Sequence, residues 1–171
     1  MQMSNIEIDP RLTQCYLHIS ITDQTLNIID LGKICKSYRV STAKNGAGER
    51  RGSEQTPRGH HMIRAKIGAQ CPLNTVFIAR RPTGEIYQTG MREDFPNRDW
   101  ILTRILWLRG MEVGKNRLGQ VDTMQRYIYI HGTPDDVPMG VPGSRGCVRM
   151  RNADLIELFD QVIVGTPVNI E

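Results

Sequence analysis

Between Cys15 and Ile21 the apolar positions Cys15, Leu17, Ile19 and Ile21 alternate with Tyr16, His18 and Ser20, the period of two expected of a strand with one buried face. Asp23-Gln24 then turns the chain into Leu26-Asn27-Ile28-Ile29-Asp30, Gly32-Lys33 turns it again, and alternation resumes from Ile34 to Val40. Three short strands joined by two tight connections predict a meander. From Ser41 to Thr56 the chain turns polar, with Gly46, Gly48, Gly52 and the run Glu49-Arg50-Arg51. Too few apolar side chains remain there to join a core, so a surface loop is expected. Thr56-Pro57-Arg58-Gly59 reads as a turn, and His60 to Ile67 as the next strand, ended by Gly68.

Further strands are predicted at Thr75 to Ala79 and at Glu85-Ile86-Tyr87, with Pro82-Thr83-Gly84 as the turn before the latter and Asp94 to Arg98 as a polar break holding Pro96. Trp100 to Leu108 fits either period, and its aromatic and Ile content predicts a strand. Tyr127-Ile128-Tyr129-Ile130 reads the same way. Helical spacing appears at Leu155, Ile156, Leu158, Phe159 and Val162, with Asn152 as the expected N-cap and Asp154 suited to the helix dipole. Gly165 is expected to stop this helix, Pro167 to prevent its resumption, and Val168-Asn169-Ile170 to close the sheet. With no strand-helix alternation and no repeat, the pattern predicts a mainly β sandwich or barrel with one well-defined helix, as a single domain over residues 1–171.

Composition narrows the classes. At 39% hydrophobic and 23% charged residues the 171-residue chain is an ordinary globular one, long enough for a core without disulfides. No run approaches the roughly 18 apolar residues of a membrane helix, and Met1 to Pro10 lacks a basic start and an apolar h-region, so a cytoplasmic protein is expected; a periplasmic one follows if a leader was removed. Cys15, Cys35, Cys71 and Cys147 form no C-x-x-C pair and read as unpaired thiols, the first three as packing residues. A formal charge of +4 favours an anionic partner, but the basic residues are scattered without aromatic interleaving, so nucleic acid is not expected. His60 and His61 point to opposite faces of a strand, so no metal site and no cofactor are expected; His60 is retained as a possible border of a substrate cleft. A monomer is expected.

The chemistry concentrates in His131-Gly132 and Ser144-Arg145-Gly146-Cys147-Val148-Arg149. A thiol is only a few per cent ionised at neutral pH, so a nucleophilic Cys147 wants a base and nearby donors. His131, after a strand, supplies an imidazole that takes the thiol proton and returns one to a leaving amine. Its second ring nitrogen needs an acceptor, for which the Gly132 carbonyl suffices. Gly146 permits a tight turn whose amides, with that of Cys147, face the oxygen of a tetrahedral intermediate. Arg149 either binds a substrate carboxylate or anchors the loop, and Ser144 shapes the turn or borders the substrate.

These residues resemble the L,D-transpeptidase catalytic domain, or YkuD domain, whose motif joins His-Gly to Ser-x-Gly-Cys-x-Arg, matched at His131-Gly132 and Ser144-x-Gly146-Cys147-x-Arg149. The resemblance extends to Thr56-Pro57-x-Gly59, Val40-Ser41-Thr42 and Gly165-Thr166-Pro167-Val168. It implies a mainly β fold in which Cys147 attacks the bond between the L-centre of a diamino acid and a terminal D-amino acid of a peptidoglycan stem peptide. The Cys147 acyl-enzyme then passes to an amine in crosslinking members, or to water in carboxypeptidases. Many members carry His where this chain has Arg145, which places a charge at the cleft rim. A cytosolic enzyme would meet small recycled stem peptides, so an L,D-carboxypeptidase releasing D-alanine from tetrapeptides is expected. A crosslinking or D-amino-acid-exchanging L,D-transpeptidase and a non-catalytic stem-peptide or anion binder are the alternatives.

Overall fold

In the computed structural model, which describes residues 15–171, the meander forms as expected: Tyr16–Ser20 (β1), Thr25–Asp30 (β2) and Lys33–Ser41 (β3) pair antiparallel in sequence. Gly59–Ile67 (β4), Thr75–Ile78 (β5), Arg81–Ile86 (β6), Ile101–Gly110 (β7), Tyr129–Gly132 (β8), Val148–Met150 (β9) and Pro167–Ile170 (β10) follow, with a one-turn helix at Met91–Asp94 (α1) and the main helix at Asn152–Gln161 (α2). Neighbouring strands run β4-β10-β1-β2-β3-β9-β8-β7, and β7 also pairs with β4, so the series returns on itself as a closed barrel. The β5–β6 hairpin hangs from β7. Of these pairings β1–β10 and β8–β9 are parallel and the others antiparallel.

One face of the barrel strands carries the main core. Leu17 and Ile19, Val168 and Ile170, Leu106 and Leu108, Ile130, and Val148 and Met150 meet there, each pair two residues apart so that alternation sends both the same way. Leu155, Leu158 and Phe159 of α2 pack into the same cluster, each worth about 1.5–3 kcal/mol of burial. A smaller cluster of Phe77, Ile105 and Tyr129, with Cys147 against it, lies on the other face of β7 and β8.

Several local expectations are corrected. Pro82-Thr83-Gly84 lies inside β6, and the turn falls earlier, at Ala79-Arg80. β6 ends the sheet order, so a proline without an N–H costs no ladder bond on its open side. Asn152 is the first helical residue of α2 and Arg151 its N-cap, because the Asn152 amide is committed to tertiary bonds described below. The helix ends at Gln161 rather than at Gly165, where Lys66 Nζ donates to the Val162 carbonyl at 2.7 Å. The polar segment 41–56 is not wholly superficial: Thr42, Ala43 and Thr56 are buried. Cys15 and Cys35 are exposed rather than packed, since Cys15 precedes β1 and Cys35 lies on the solvent-facing first half of β3. The expectation drawn from Met1 to Pro10 lies outside the described residues. Among the described residues no helix is long and apolar enough to cross a membrane.

Candidate active site

The parallel pair β8 and β9 sets the geometry. Ile130 stands opposite Val148 and His131 opposite Arg149, while Cys147 immediately precedes β9. Alternation sends Ile130 and Val148 into the main core and Tyr129, His131 and Cys147 to the opposite face, so His131 is a diagonal neighbour of Cys147 across two hydrogen-bonded strands. His131 lies within β8 rather than beyond its end.

His131 is fully buried, and its Nδ1 lies 2.7 Å from the Gly132 carbonyl oxygen. A carbonyl only accepts, so Nδ1 carries the proton and Nε2 presents a lone pair. That Nε2 is buried without a hydrogen-bond partner. Burial pulls the imidazole below its ordinary range, opposed by Asp99 and the Gly132 carbonyl and reinforced by Arg149, so the ring is a neutral base. Gly132 has no room for a side chain: a Cβ would stand 2.1 Å from Asn152 Oδ1 and 2.6 Å from the Leu102 carbonyl.

The Cys147 sulfur accepts from the Tyr129 N–H at 3.3 Å and donates to the Tyr127 carbonyl at 3.4 Å. Burial pushes the thiol up to about 12, with Asp99 adding to the rise and the Tyr129 amide, Arg149 and Arg126 opposing it. One side of the residue nevertheless opens on a cleft of about 420 Å³ lined by Arg80, Asp99, Arg126, Tyr127, Tyr129 and Arg145 among others. The resting site is thus a protonated thiol beside a neutral imidazole.

The turn before the sulfur is built from two buried hydroxyls. Ser144 Oγ donates to the Cys147 carbonyl and accepts from the Gly146 N–H at 3.1 Å, while Thr56 Oγ1 donates to the Gly146 carbonyl and accepts from the Ala43 N–H, both at 2.9 Å. Gly146 has φ 129°, and a Cβ there would lie 3.1 Å from Ile128 Cδ1 and 3.3 Å from the Gln55 carbonyl. Two expectations change accordingly. The Gly146 amide is spent on Ser144 and is not a spare oxyanion donor, and Ser144, with its hydroxyl consumed inside the turn, does not face substrate.

Arg149 anchors the loop, donating to the Gly143 carbonyl and to Asp99 Oδ1, both at 3.0 Å. Arg145 is exposed on the rim, where Nη2 reaches the Asn97 carbonyl at 3.3 Å. On its far side lies a second pocket of about 330 Å³, bounded by Arg92, Trp100, Pro134 and Arg149 among others. His60 does not border the cleft: it lies on β4, which β7 separates from β8, and its amide donates to Glu112. Its neighbour His61 is buried rather than solvated, with Nδ1 2.9 Å from the Gly59 carbonyl and Nε2 2.9 Å from Thr123 Oγ1. Burial brings its pKa down to about 4.

Sequence reasoning missed Asp99, Arg80 and the Asn152 buttress. The Asn152 amide accepts from Thr103 Oγ1 at 2.7 Å and donates to the Thr133 carbonyl at 3.0 Å, fixing the strand end that carries Gly132. Thr103 sits in a β-bulge opposite His131 and Gly132, at φ 75°, a costly conformation for a β-branched residue and one that clusters at functional sites. An asparagine in a helix's first turn and a threonine in a strand carry no signal of this pairing across 49 positions.

The family description "L,D-transpeptidase catalytic domain" (YkuD) matches residues 14–170. Over 45 residues the chain is 49% identical to the probable L,D-transpeptidase ErfK/SrfK of Salmonella typhimurium, a segment covering 26% of this chain and 15% of that protein. The fold is similar to that of Bdellovibrio bacteriovorus Bd1075, at a TM-score of 0.58 and 16% identity over 95% of this chain and 49% of the other. It is also similar to L,D-transpeptidase 3 from Mycobacterium tuberculosis in complex with a faropenem-derived adduct, at a TM-score of 0.54 and 15% identity over 92% and 60% of the two chains. The solved relatives are therefore considerably longer than this chain.

Proposed function

Because the chain belongs to the L,D-transpeptidase catalytic domain family, we propose that Cys147 and His131 form its nucleophile and base and that water is its acyl acceptor, making it an L,D-carboxypeptidase of peptidoglycan stem tetrapeptides. The observation that carries this reading is the unpartnered lone pair of His131 Nε2, its tautomer fixed from behind by Gly132, on the same strand face as the thiol. On substrate binding the thiol proton leaves the Tyr127 carbonyl for Nε2, and the sulfur attacks the carbonyl of the diamino acid residue. The Cys147 N–H supports the oxyanion, a role in which one donor is typically worth about 2.7–4 kcal/mol. The imidazolium is stabilised by the Gly132 carbonyl and the nearby Asp99, and returns its proton to the departing amine of D-alanine. Water, deprotonated by the same nitrogen, releases tripeptide and regenerates the thiol.

Crosslinking is the second reading, favoured by the pocket beyond Arg145, which is large enough for the side chain of an acceptor stem. Mass spectrometry of a stem tetrapeptide incubated with the protein separates the two. Tripeptide plus D-alanine supports the carboxypeptidase, crosslinked dimer without hydrolysis supports the transpeptidase, and no product, with no mass increment on Cys147, refutes both. A penem is expected to acylate Cys147 by analogy with the faropenem adduct of the mycobacterial relative.

A further inference from the structure

Four arginines stand around the cleft and its rim, and their bonding separates them. Arg126 is spent on the Gly48, Glu49 and Gln55 carbonyls and on Ser53 Oγ. Arg149 donates to Gly143 and is ion-paired with Asp99, and its remaining Nε–H is buried without a partner. Among the described residues Arg145 has one bond, to the Asn97 carbonyl, and Arg80 has one, from Nη1 to the Tyr129 hydroxyl at 3.0 Å. Neither Arg80 nor Arg145 has a carboxylate partner among the described residues, so the cleft keeps two guanidinium groups with N–H donors to spare.

Arg80 is held unusually firmly for a side chain with no acid to hold it. Its guanidinium carbon sits 4.6 Å from the centroid of the Trp107 ring and 4.8 Å from that of Tyr127. The backbone beneath it is strained. Ile78 pairs with Arg81 across a two-residue turn whose residues, Ala79 and Arg80, have φ 47° and 65°. That left-handed pair is the territory of Asn-Gly and Gly-Gly, and neither alanine nor arginine relieves it. A strained tip that delivers a pinned cation beside a reactive thiol fits a binding role better than a stabilising one. A guanidinium fork matches a carboxylate with two parallel bonds, and pinning lowers the ordering cost of capture.

We propose that Arg80, from the β5–β6 hairpin, and Arg145, from the turn before Cys147, both lining the cleft, form a clamp that reads a substrate carboxylate next to the scissile bond and so confines the enzyme to anionic stem peptides. This deepens the function proposed above and rests on it. Two carboxylates lie close enough to the bond to be the one read: that of the terminal D-residue, and that on the side chain of the diamino acid. The first would make the enzyme strictly exo-acting.

The test measures KM and kcat for tripeptide formation from a stem tetrapeptide, from its C-terminal amide (which releases D-alaninamide), and from the same peptide with lysine as the diamino acid. Binding of the three to the Cys147→Ala protein is followed in parallel by calorimetry. Loss of the carboxylate that is read is expected to weaken binding at least roughly tenfold, the scale of a charge-assisted bond. Arg80→Gln should bring the acid-to-analogue ratio close to one, raising KM for the acid more than it lowers kcat, and Arg80→Lys should restore only part of the discrimination. Arg145→Gln, exposed and therefore folded, should lower the same ratio. Whichever analogue shows the loss assigns the carboxylate. Equal binding of all three peptides to Cys147→Ala protein, or ratios unchanged by both Gln variants, overturns the clamp. Discrimination in binding without any D-alanine release would instead sink the carboxypeptidase and leave the clamp standing.

Discussion

Thr56 offers the sharpest test of how the turn before Cys147 is held. It is fully buried, and its hydroxyl joins three remote pieces of chain: its own turn, the Ala43 N–H and the Gly146 carbonyl. Thr56→Val keeps the shape and removes only the hydroxyl, leaving a buried donor and a buried acceptor unpaired. At about 1–3 kcal/mol per stranded group, with some relief by relaxation, the loss should be about 2–4 kcal/mol. For a domain of this size that is a fall in Tm of roughly 5–15 °C. Thr56→Ser keeps both bonds and forfeits one methyl, about 0.8 kcal/mol. Activity should separate the variants further, because the freed Gly146 carbonyl lets the adjoining sulfur drift, and a displacement of about 1 Å is worth roughly a hundredfold in rate. Thermal unfolding and tetrapeptide turnover on the wild type and both variants give the comparison. If Val is tolerated and Ser is the costly change, the methyl and not the hydroxyl matters, and this account of the turn is wrong.

Gly132→Ala should abolish turnover and lower Tm, and adding Asn152→Ala should not restore either, because the Leu102 carbonyl still blocks the new Cβ at 2.6 Å. Recovery of activity in the double variant would show that Asn152 alone sets the constraint. Stability should fall with acidity. Buried His61 and His131 both have folded-state pKa values below 6.5, so their contribution is complete above that pH, and for His61 it declines as pH falls from 6.5 towards about 4. The slope is up to about 1.4 kcal/mol per pH unit for each ring. Urea midpoints at pH 7, 6 and 5 should show it, and His61→Gln should flatten it by about one proton; an unchanged slope would mean the unfolded chain gains no proton at that ring. At pH 7.5 iodoacetamide should label exposed Cys35 before Cys147, whose thiol burial pushes up to about 12. Peptide mapping that finds Cys147 modified first would show a thiolate already present without substrate.

The barrel, the helix and the juxtaposition of His131 with Cys147 were legible because their signals are local. Period-two alternation marks β1 to β3, helical spacing marks α2, and a histidine-glycine and a glycine-cysteine at two strand boundaries mark the chemistry. What escaped depends on partners far along the chain. Ser144 looked like a border residue until its hydroxyl was seen to consume the Gly146 amide, and His60 looked eligible until the strand order put β7 between it and β8. Pro82 and Gly84 read as a turn because turn chemistry is written in those residues, yet an edge strand tolerates both. Arg80 carried no signal, since the turn that presents it contains neither glycine nor asparagine.

The strand β10 is seated between β1 and β4, pairing parallel with the first and antiparallel with the second. Until Pro167 to Ile170 is in place neither neighbour has that partner, so a folding chain shows open edges on β1 and β4 that the completed ring covers. Seating of Pro167 to Ile170 and closure of the hydrogen-bonded ring are one event, and a truncation before Pro167 leaves both edges unpaired.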